Sequence, residues 1–230
     1  MDMCWSDEFA KFSFPYKVFY YMTAFTVKRA FYYSPFSATT GSIIGSGLGY
    51  NGVKKNEEGK DVHQWDKIIG VFVWKCETLT SPADAFRYWN YQVHVWLKYY
   101  VYMRLVTPGK KPGTYESMMT FIISGLWHGF YAFYHVMFFF TALLQELSKD
   151  VYRARKLFNF IPPPMRLPIS WFLSYLFLDY LGVCVNALSI KNGLTFNRAM
   201  HYYIFILIIV GFIVFRFFIV PYVRKIEKKN

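Results

Sequence analysis

Three long apolar runs constrain this chain more than any other feature of its sequence. Residues 118–144 contain no Asp, Glu, Lys or Arg, residues 169–190 contain one acid, Asp179, and residues 202–220 contain one base, Arg216. A membrane-spanning helix needs about 20 consecutive, mostly apolar residues. The sequence therefore predicts an all-α, polytopic membrane helix bundle, with spans at roughly these three positions.

The first of these runs is longer than a span requires. As one straight helix, residues 118–144 would be about 40 Å long, which exceeds a hydrocarbon core of about 30 Å. We therefore expect this run to tilt, to project into solvent or to break near its glycines.

The basic residues gather at the ends of the apolar runs. The net charge of +12 fits either anionic lipid headgroups or nucleic acid as a partner. The bases form no single long tract, which favours the lipid bilayer and argues against nucleic acid. Residues 149–166 carry five bases and the tail four, against only Lys191 and Arg198 between the last two runs. The positive-inside rule thus places 149–166 and the tail on the cytosolic side.

The last residues give a weak indication of location. Residues 225–230 come close to a dilysine retrieval signal for the endoplasmic reticulum, but the two lysines are out of register.

The three cysteines do not predict a disulfide framework or a zinc site. Cys4, Cys76 and Cys184 are odd in number, and no two of them have the spacing of metal ligands. We expect no metal in this chain.

One histidine stands inside the longest apolar run, in the stretch ISGLWHGFYAFYH (residues 123–135). If the stretch is one helix, Gly125 and Gly129 form a GxxxG pair that allows close helix packing, which explains the glycines but not His128. An ionisable residue inside a membrane segment is costly and usually functional. A neutral imidazole is a competent general base near neutral pH, so His128 is the candidate catalytic residue. A hydrogen-bonded structural histidine is the alternative, and His135 is the weaker candidate.

A second polar pattern precedes this run, in RYWNYQVHVWLKYYVY (residues 87–102). On a helix, Asn90, His94 and Lys98 share one face. Asn90 has both a donor and an acceptor, so it could orient a catalytic group or bind an oxyanion. An amphipathic helix at the membrane interface, with its Trp and Tyr residues in an aromatic belt, explains the pattern equally well.

A third motif, GLGYNG (residues 47–52), has the form G-x-G-x-x-G. No strand precedes it and no βαβ crossover follows, so it does not predict a dinucleotide site. We interpret it as a flexible turn near a membrane entrance.

Together and in this order, GLGYNG, WNYQVHVWLKYYVYMRL and ISGLWHGFYAFYH resemble the C-terminal half of the membrane-bound O-acyltransferases, and in particular their lysophospholipid acyltransferase branch. The motifs cover roughly residues 30–150. The resemblance implies one membrane acyltransferase domain over residues 1–230, truncated at its N-terminus relative to the family.

The resemblance also implies roles for individual residues. His128 would be the catalytic histidine and Asn90 its polar partner. The donor would be acyl-CoA, used as a co-substrate without a further cofactor, and the acceptor a lysophospholipid at the endoplasmic reticulum. A homo-oligomer is compatible with this assignment. We also expect substrate contacts from Trp89, Trp127, Ser124, Lys98 and Arg104, although the two bases could equally be anchors at the membrane surface.

Two other functions stay open. The first is an acyltransferase of the same family with another acceptor, such as a sterol, diacylglycerol or a protein. The second is a non-enzymatic transporter subunit or scaffold, in which Asp179, Arg216 and His128 would line a polar pathway.

Overall fold

The structure is a computed structural model that describes residues 1–227, so the lysines of the dilysine-like tail at positions 228 and 229 lie outside the described residues. Almost all of its regular structure is helical, which confirms the all-α prediction. In chain order the helices are α1 (Asp7–Lys11), α2 (Phe14–Gly45), α3 (Val73–Glu77), α4 (Pro82–Tyr88), α5 (Tyr91–Leu97), α6 (Met103–Leu105), α7 (Thr114–His128), α8 (Ala132–Arg153), α9 (Pro163–Ala187), α10 (Ile190–Ala199), α11 (Tyr203–Val214) and α12 (Val220–Glu227).

Shorter elements join these helices. Single 3₁₀ turns lie at Asp2–Trp5 and Arg155–Phe158, and π-helical turns lie at Lys98–Tyr102 and Phe215–Ile219. A small exposed antiparallel hairpin, β1 (Val53–Lys55) and β2 (Asp61–His63), pairs Lys54 with Val62. The GLGYNG motif is the turn that leads from α2 into this hairpin, with Gly47 and Gly52 at positive φ.

Two helical stretches are long and apolar enough to cross a membrane. They are α9, at Pro163–Ala187, and the continuous stretch Tyr203–Glu227 that joins α11, the π-helical turn and α12. These stretches overlap the predicted spans 169–190 and 202–220.

The predicted span 118–144 is not one helix. α7 ends at His128, Gly129 adopts a φ of 127° that favours glycine, and α8 begins at Ala132. The two helices form an antiparallel hairpin, in which Lys149 Nζ lies 3.4 Å from Ser117 Oγ. Of the three expectations for residues 118–144, the structure thus shows the break near the glycines. It also removes Gly129 from any GxxxG helix face and separates His128 from the face that carries His135.

α2 packs in parallel against α9 through polar contacts spaced along both helices. Tyr21 Oη donates to the carbonyl of Leu176 at 3.0 Å, and further along Tyr32 Oη donates to Asn186 Oδ1 at 3.3 Å. The apolar core lies around this pair, and its fully buried side chains include Tyr21, Tyr180, Phe196, Met200, Ile204 and Ile208.

The basic segment 149–166 and the start of the tail lie at the same end of the bundle. Lys156 Nζ donates to Glu227 Oε1 at 2.7 Å, and Arg216 Nη2 donates to Glu146 Oε2 at 2.9 Å. The described start of the tail therefore lies close to the basic segment 149–166.

Candidate active site

Asn90 occupies an unusual backbone position at the entry to α5. Its φ of 45° and ψ of 56° are left-handed, a conformation that Asn tolerates better than most residues. The backbone on both sides is held, because the Trp89 N–H donates to the Ala85 carbonyl at 2.8 Å and the Tyr91 N–H donates to the Gly70 carbonyl at 2.7 Å. The Asn90 side chain makes no capping hydrogen bond to α5, so its amide is available to a ligand.

His128 is the last residue of α7, and its side chain is exposed and bordered by aromatic rings. The Phe138 ring stacks on the imidazole at a centroid distance of 5.0 Å, and the Trp127 ring meets it edge-on at 4.8 Å. Gly125, one turn earlier, gives Phe138 its place, because a Cβ there would lie 3.2 Å from a carbon of that ring. The α7–α8 hairpin therefore fixes the position of the imidazole from one side.

Asn90 and His128 line the same cavity. It has a volume of about 760 Å³ and lies among α2, α4, α5, α7, α8 and α9. This volume falls within the range of roughly 300–1,000 Å³ that is typical of small-molecule sites. Two polar residues that are distant in the sequence thus border one space large enough for a ligand.

A polar track runs along the α7–α8 wall of this cavity. On α7 it consists of side chains at helical spacing, and on α8 of side chains four residues apart: Ser117, Thr120, Ser124 and His128, then Thr141, Gln145 and Lys149. Because the hairpin is antiparallel, Lys149 lies at the far end from His128, and the helix from Ser117 to His128 is about 16 Å long. The Gln145 Oε1 atom is buried without a hydrogen-bond partner among the described residues.

The structure separates the predicted substrate-contacting residues into two groups. Trp89, Ser124 and Lys98 line the cavity together with Asn90 and His128. Trp127 lies beside the imidazole but outside the cavity lining, and Arg104 is exposed with its guanidinium over the Tyr100 ring at 5.2 Å.

Sequence patterns did not find several polar residues of the cavity. Arg29, Gln145 and Lys149 line it, and none of them belongs to the motifs singled out above. For Gln145 and Lys149 a signal existed, because they share a helix face with Thr141. Asp179, which the sequence suggested for a polar pathway, also lines this cavity.

Comparison with known proteins places these motifs in a family. The model of the membrane-bound O-acyltransferase family matches residues 6–190. Lysophospholipid acyltransferase 2 of Arabidopsis thaliana is 33% identical over 188 residues, which are 79% of this chain and 39% of that protein. Lysophospholipid acyltransferase 1 of the same plant is 34% identical over 207 residues, 87% of this chain and 43% of that protein.

A fungal relative extends the match over nearly the whole chain. The lysophospholipid acyltransferase of Saccharomyces cerevisiae is 29% identical over an alignment of 235 positions that covers 96% of this chain and 36% of that protein. The chain therefore spans about two fifths of the length of these three relatives.

Proposed function

This chain belongs to the membrane-bound O-acyltransferase family, and on that premise we propose that it transfers an acyl group from acyl-CoA to the free hydroxyl of a lysophospholipid. The relatives that support the acceptor are named lysophospholipid acyltransferases. The proposed setting is phospholipid remodelling at the endoplasmic reticulum membrane.

In the proposed reaction His128 is the general base. Its imidazole takes the proton of the lysophospholipid hydroxyl as the oxygen attacks the thioester carbonyl of acyl-CoA. The tetrahedral intermediate then collapses, the carbon–sulfur bond breaks, and the sulfur leaves as coenzyme A with the proton returned by the imidazolium. General base catalysis typically contributes 10²–10⁴-fold, and positioning in the cavity must supply the remainder of the acceleration.

Asn90 has two roles open to it in this step. Its amide N–H can donate to the oxyanion that develops on the thioester carbonyl, or its side chain can orient the imidazole. Because the Asn90 side chain makes no capping hydrogen bond to α5, its amide is available for either role.

The single observation that carries the proposal is that Asn90 and His128 line one cavity of about 760 Å³. The side chains of the cavity wall also match the chemistry of both substrates, which have apolar acyl chains and charged phosphate groups. Aromatic side chains such as Trp89 and Phe138 offer an apolar surface to acyl chains, and Lys98 offers positive charge to phosphate groups. We propose Lys98 as a contact of the coenzyme A moiety.

The test is an assay of the purified chain in detergent. Labelled acyl-CoA is supplied with a panel of lysophospholipids that differ in headgroup, and with cholesterol and diacylglycerol as alternative acceptors. The proposal predicts labelled diacyl phospholipid as the main product. Labelled sterol ester or triacylglycerol in its place, or no acyl transfer at all, would contradict it.

A further inference from the structure

A buried guanidinium joins three elements around the cavity. The side chain of Arg29, on α2, is only 8% exposed. Its Nε and Nη2 atoms donate to the two carboxylate oxygens of Glu77 at 2.8 and 3.1 Å, and its Nη1 atom donates to Asp179 Oδ1 at 2.6 Å. Arg29 thereby ties α2 to the end of α3 and to α9. The planar fork of arginine suits this paired geometry, which lysine cannot reproduce.

A continuous set of contacts leads from this guanidinium to Asn90. The Tyr33 hydroxyl, one turn beyond Arg29 on α2, donates to the same Glu77 carboxylate. The Tyr33 ring packs against the Trp89 ring at a centroid distance of 5.6 Å, and Trp89 is the residue before Asn90. The Glu77 side chain therefore connects Arg29 to the tyrosine that supports the backbone entering Asn90.

The backbone of the same region is also held in place. The Phe72 N–H donates to the Tyr88 carbonyl at 3.2 Å, and the Tyr91 N–H donates to the Gly70 carbonyl at 2.7 Å. From α9, Trp171 Nε1 donates to the Glu77 carbonyl at 3.0 Å. The segment that ends at Glu77 thus supports the turn at Asn90 directly.

The left-handed backbone at Asn90 requires support from the residues around it. A non-glycine residue in a left-handed conformation persists when its surroundings determine it, and such residues cluster at functional sites. Burial of a guanidinium with two carboxylates is itself costly unless the pairing is good. The left-handed backbone of Asn90 and the buried guanidinium of Arg29 both lie beside the same cavity, which both residues line.

We propose that Arg29 is a positioning residue for Asn90: through Glu77, Tyr33 and Trp89 it holds the Asn90 side chain at the reacting centre. This proposal rests on the proposed acyl transfer. Arg29 touches neither reacting atom in this scheme, and its effect reaches the chemistry only through the placement of Asn90.

Two tyrosine-to-phenylalanine variants, each of which removes one hydroxyl and keeps the ring, test the proposal, with thermal unfolding in detergent measured for both. Tyr33→Phe removes only the hydroxyl that links Glu77 to the Trp89 support. Tyr21→Phe is the control, because Tyr21 is on the same helix and its hydroxyl bonds to the Leu176 carbonyl and the Tyr203 hydroxyl rather than to Glu77. We expect Tyr33→Phe to lower kcat by about threefold or more with little change in KM, and Tyr21→Phe to leave kcat within about twofold.

Arg29 itself is tested with Arg29→Met and Arg29→Lys. We expect Arg29→Met to lower kcat by about tenfold or more. Arg29→Lys should recover only part of the lost kcat, because an ammonium group cannot reproduce the paired hydrogen bonds of the guanidinium to Glu77. In an Asn90→Ala background, neither Arg29→Met nor Tyr33→Phe should lower kcat by more than about twofold further, since residues that act as a unit are not additive.

Several outcomes would overturn the positioning role. Equal effects of Tyr33→Phe and Tyr21→Phe on kcat would show that the network only stabilises the fold. The same conclusion would follow if the kcat losses of Arg29→Met and Tyr33→Phe multiplied with the loss caused by Asn90→Ala. If the unaltered chain transfers acyl groups and His128→Ala does not, these results would reject the role of Arg29 while the proposed function stands.

Discussion

Asn90 and His128 line one cavity although they are held there by different means, Asn90 by a left-handed turn between α4 and α5 and His128 by the end of α7. Neither side chain depends on the other for its position. Each can therefore be altered while the support of the other is left intact, which makes their separate contributions measurable.

The amide of Asn90 is predicted to contribute to rate rather than to folding. Removal of one oxyanion donor typically costs 10²–10³-fold in kcat, so we expect a loss of that order in both Asn90→Ala and Asn90→Gly. Glycine accepts a φ of 45° without strain, so Asn90→Gly should unfold at a higher temperature than Asn90→Ala. Steady-state kinetics and thermal unfolding in detergent measure both effects. A substantially higher kcat for Asn90→Gly would indicate that backbone strain, not the amide, governs activity.

Gly125 is predicted to control the ring that stacks on His128. A larger side chain there must displace Phe138, because a Cβ at Gly125 lies 3.2 Å from that ring. We expect Gly125→Val to destabilise the chain by about 1–3 kcal/mol and to lower kcat. Gly45→Ala is the control, since a Cβ at that helical position meets no atom within 4 Å. Equal activity in both variants would show that the Phe138 contact does not matter for His128.

Lys98 is predicted to bind the anionic part of acyl-CoA. It lines the cavity, so Lys98→Met should raise the KM for acyl-CoA several-fold and leave the KM for the lysophospholipid nearly unchanged. Lys54→Met, on the exposed hairpin, removes the same charge away from the cavity and should alter neither constant. A rise in both KM values for Lys98→Met would contradict a donor-specific contact.

Glu146 is predicted to make stability depend on acidic pH. Burial by itself raises the pKa of this carboxyl, but hydrogen bonds from Lys149, Arg216 and Thr114 outweigh burial and bring the pKa to about 2. Because the folded pKa lies below the ordinary value of 4.5, the stabilisation is complete above about pH 5 and is lost as the pH falls towards 2.

The measurement for Glu146 is a set of unfolding temperatures in detergent. The unaltered chain should lose more thermal stability between about pH 5 and pH 3 than Glu146→Gln, which has no carboxyl to protonate. Parallel losses in the two proteins would show that other groups cause the acid sensitivity.

The apolar runs predicted much of the fold, and the motifs pointed to Asn90 and His128, which line one cavity. Helix length and hydrophobicity are local properties, so the stretches 169–190 and 202–220 could be located directly. His128 stood out because an ionisable group in an apolar run is expensive. The break after His128 was one of three expected outcomes, and the φ of Gly129 decided among them.

The remaining features depend on contacts between distant parts of the chain. Arg29 follows Lys28 in an aromatic stretch and Asp179 is the one acid of an apolar run, and only the parallel packing of α2 against α9 brings the two together. The distinction between Trp89, which lines the cavity, and Trp127, which does not, likewise depends on the way the α7–α8 hairpin faces α5. Residue spacing alone contains no information about either contact.

The most direct test of the central claim compares two histidines of this chain in the acyl-transfer assay. His128 lines the cavity, whereas His135 lies on α8 outside its lining. Loss of the general base should lower kcat of His128→Ala by about 10²-fold or more, while His135→Ala stays within about threefold of the unaltered chain. Turnover by His128→Ala that matches the unaltered chain would show that His128 is not the catalytic base.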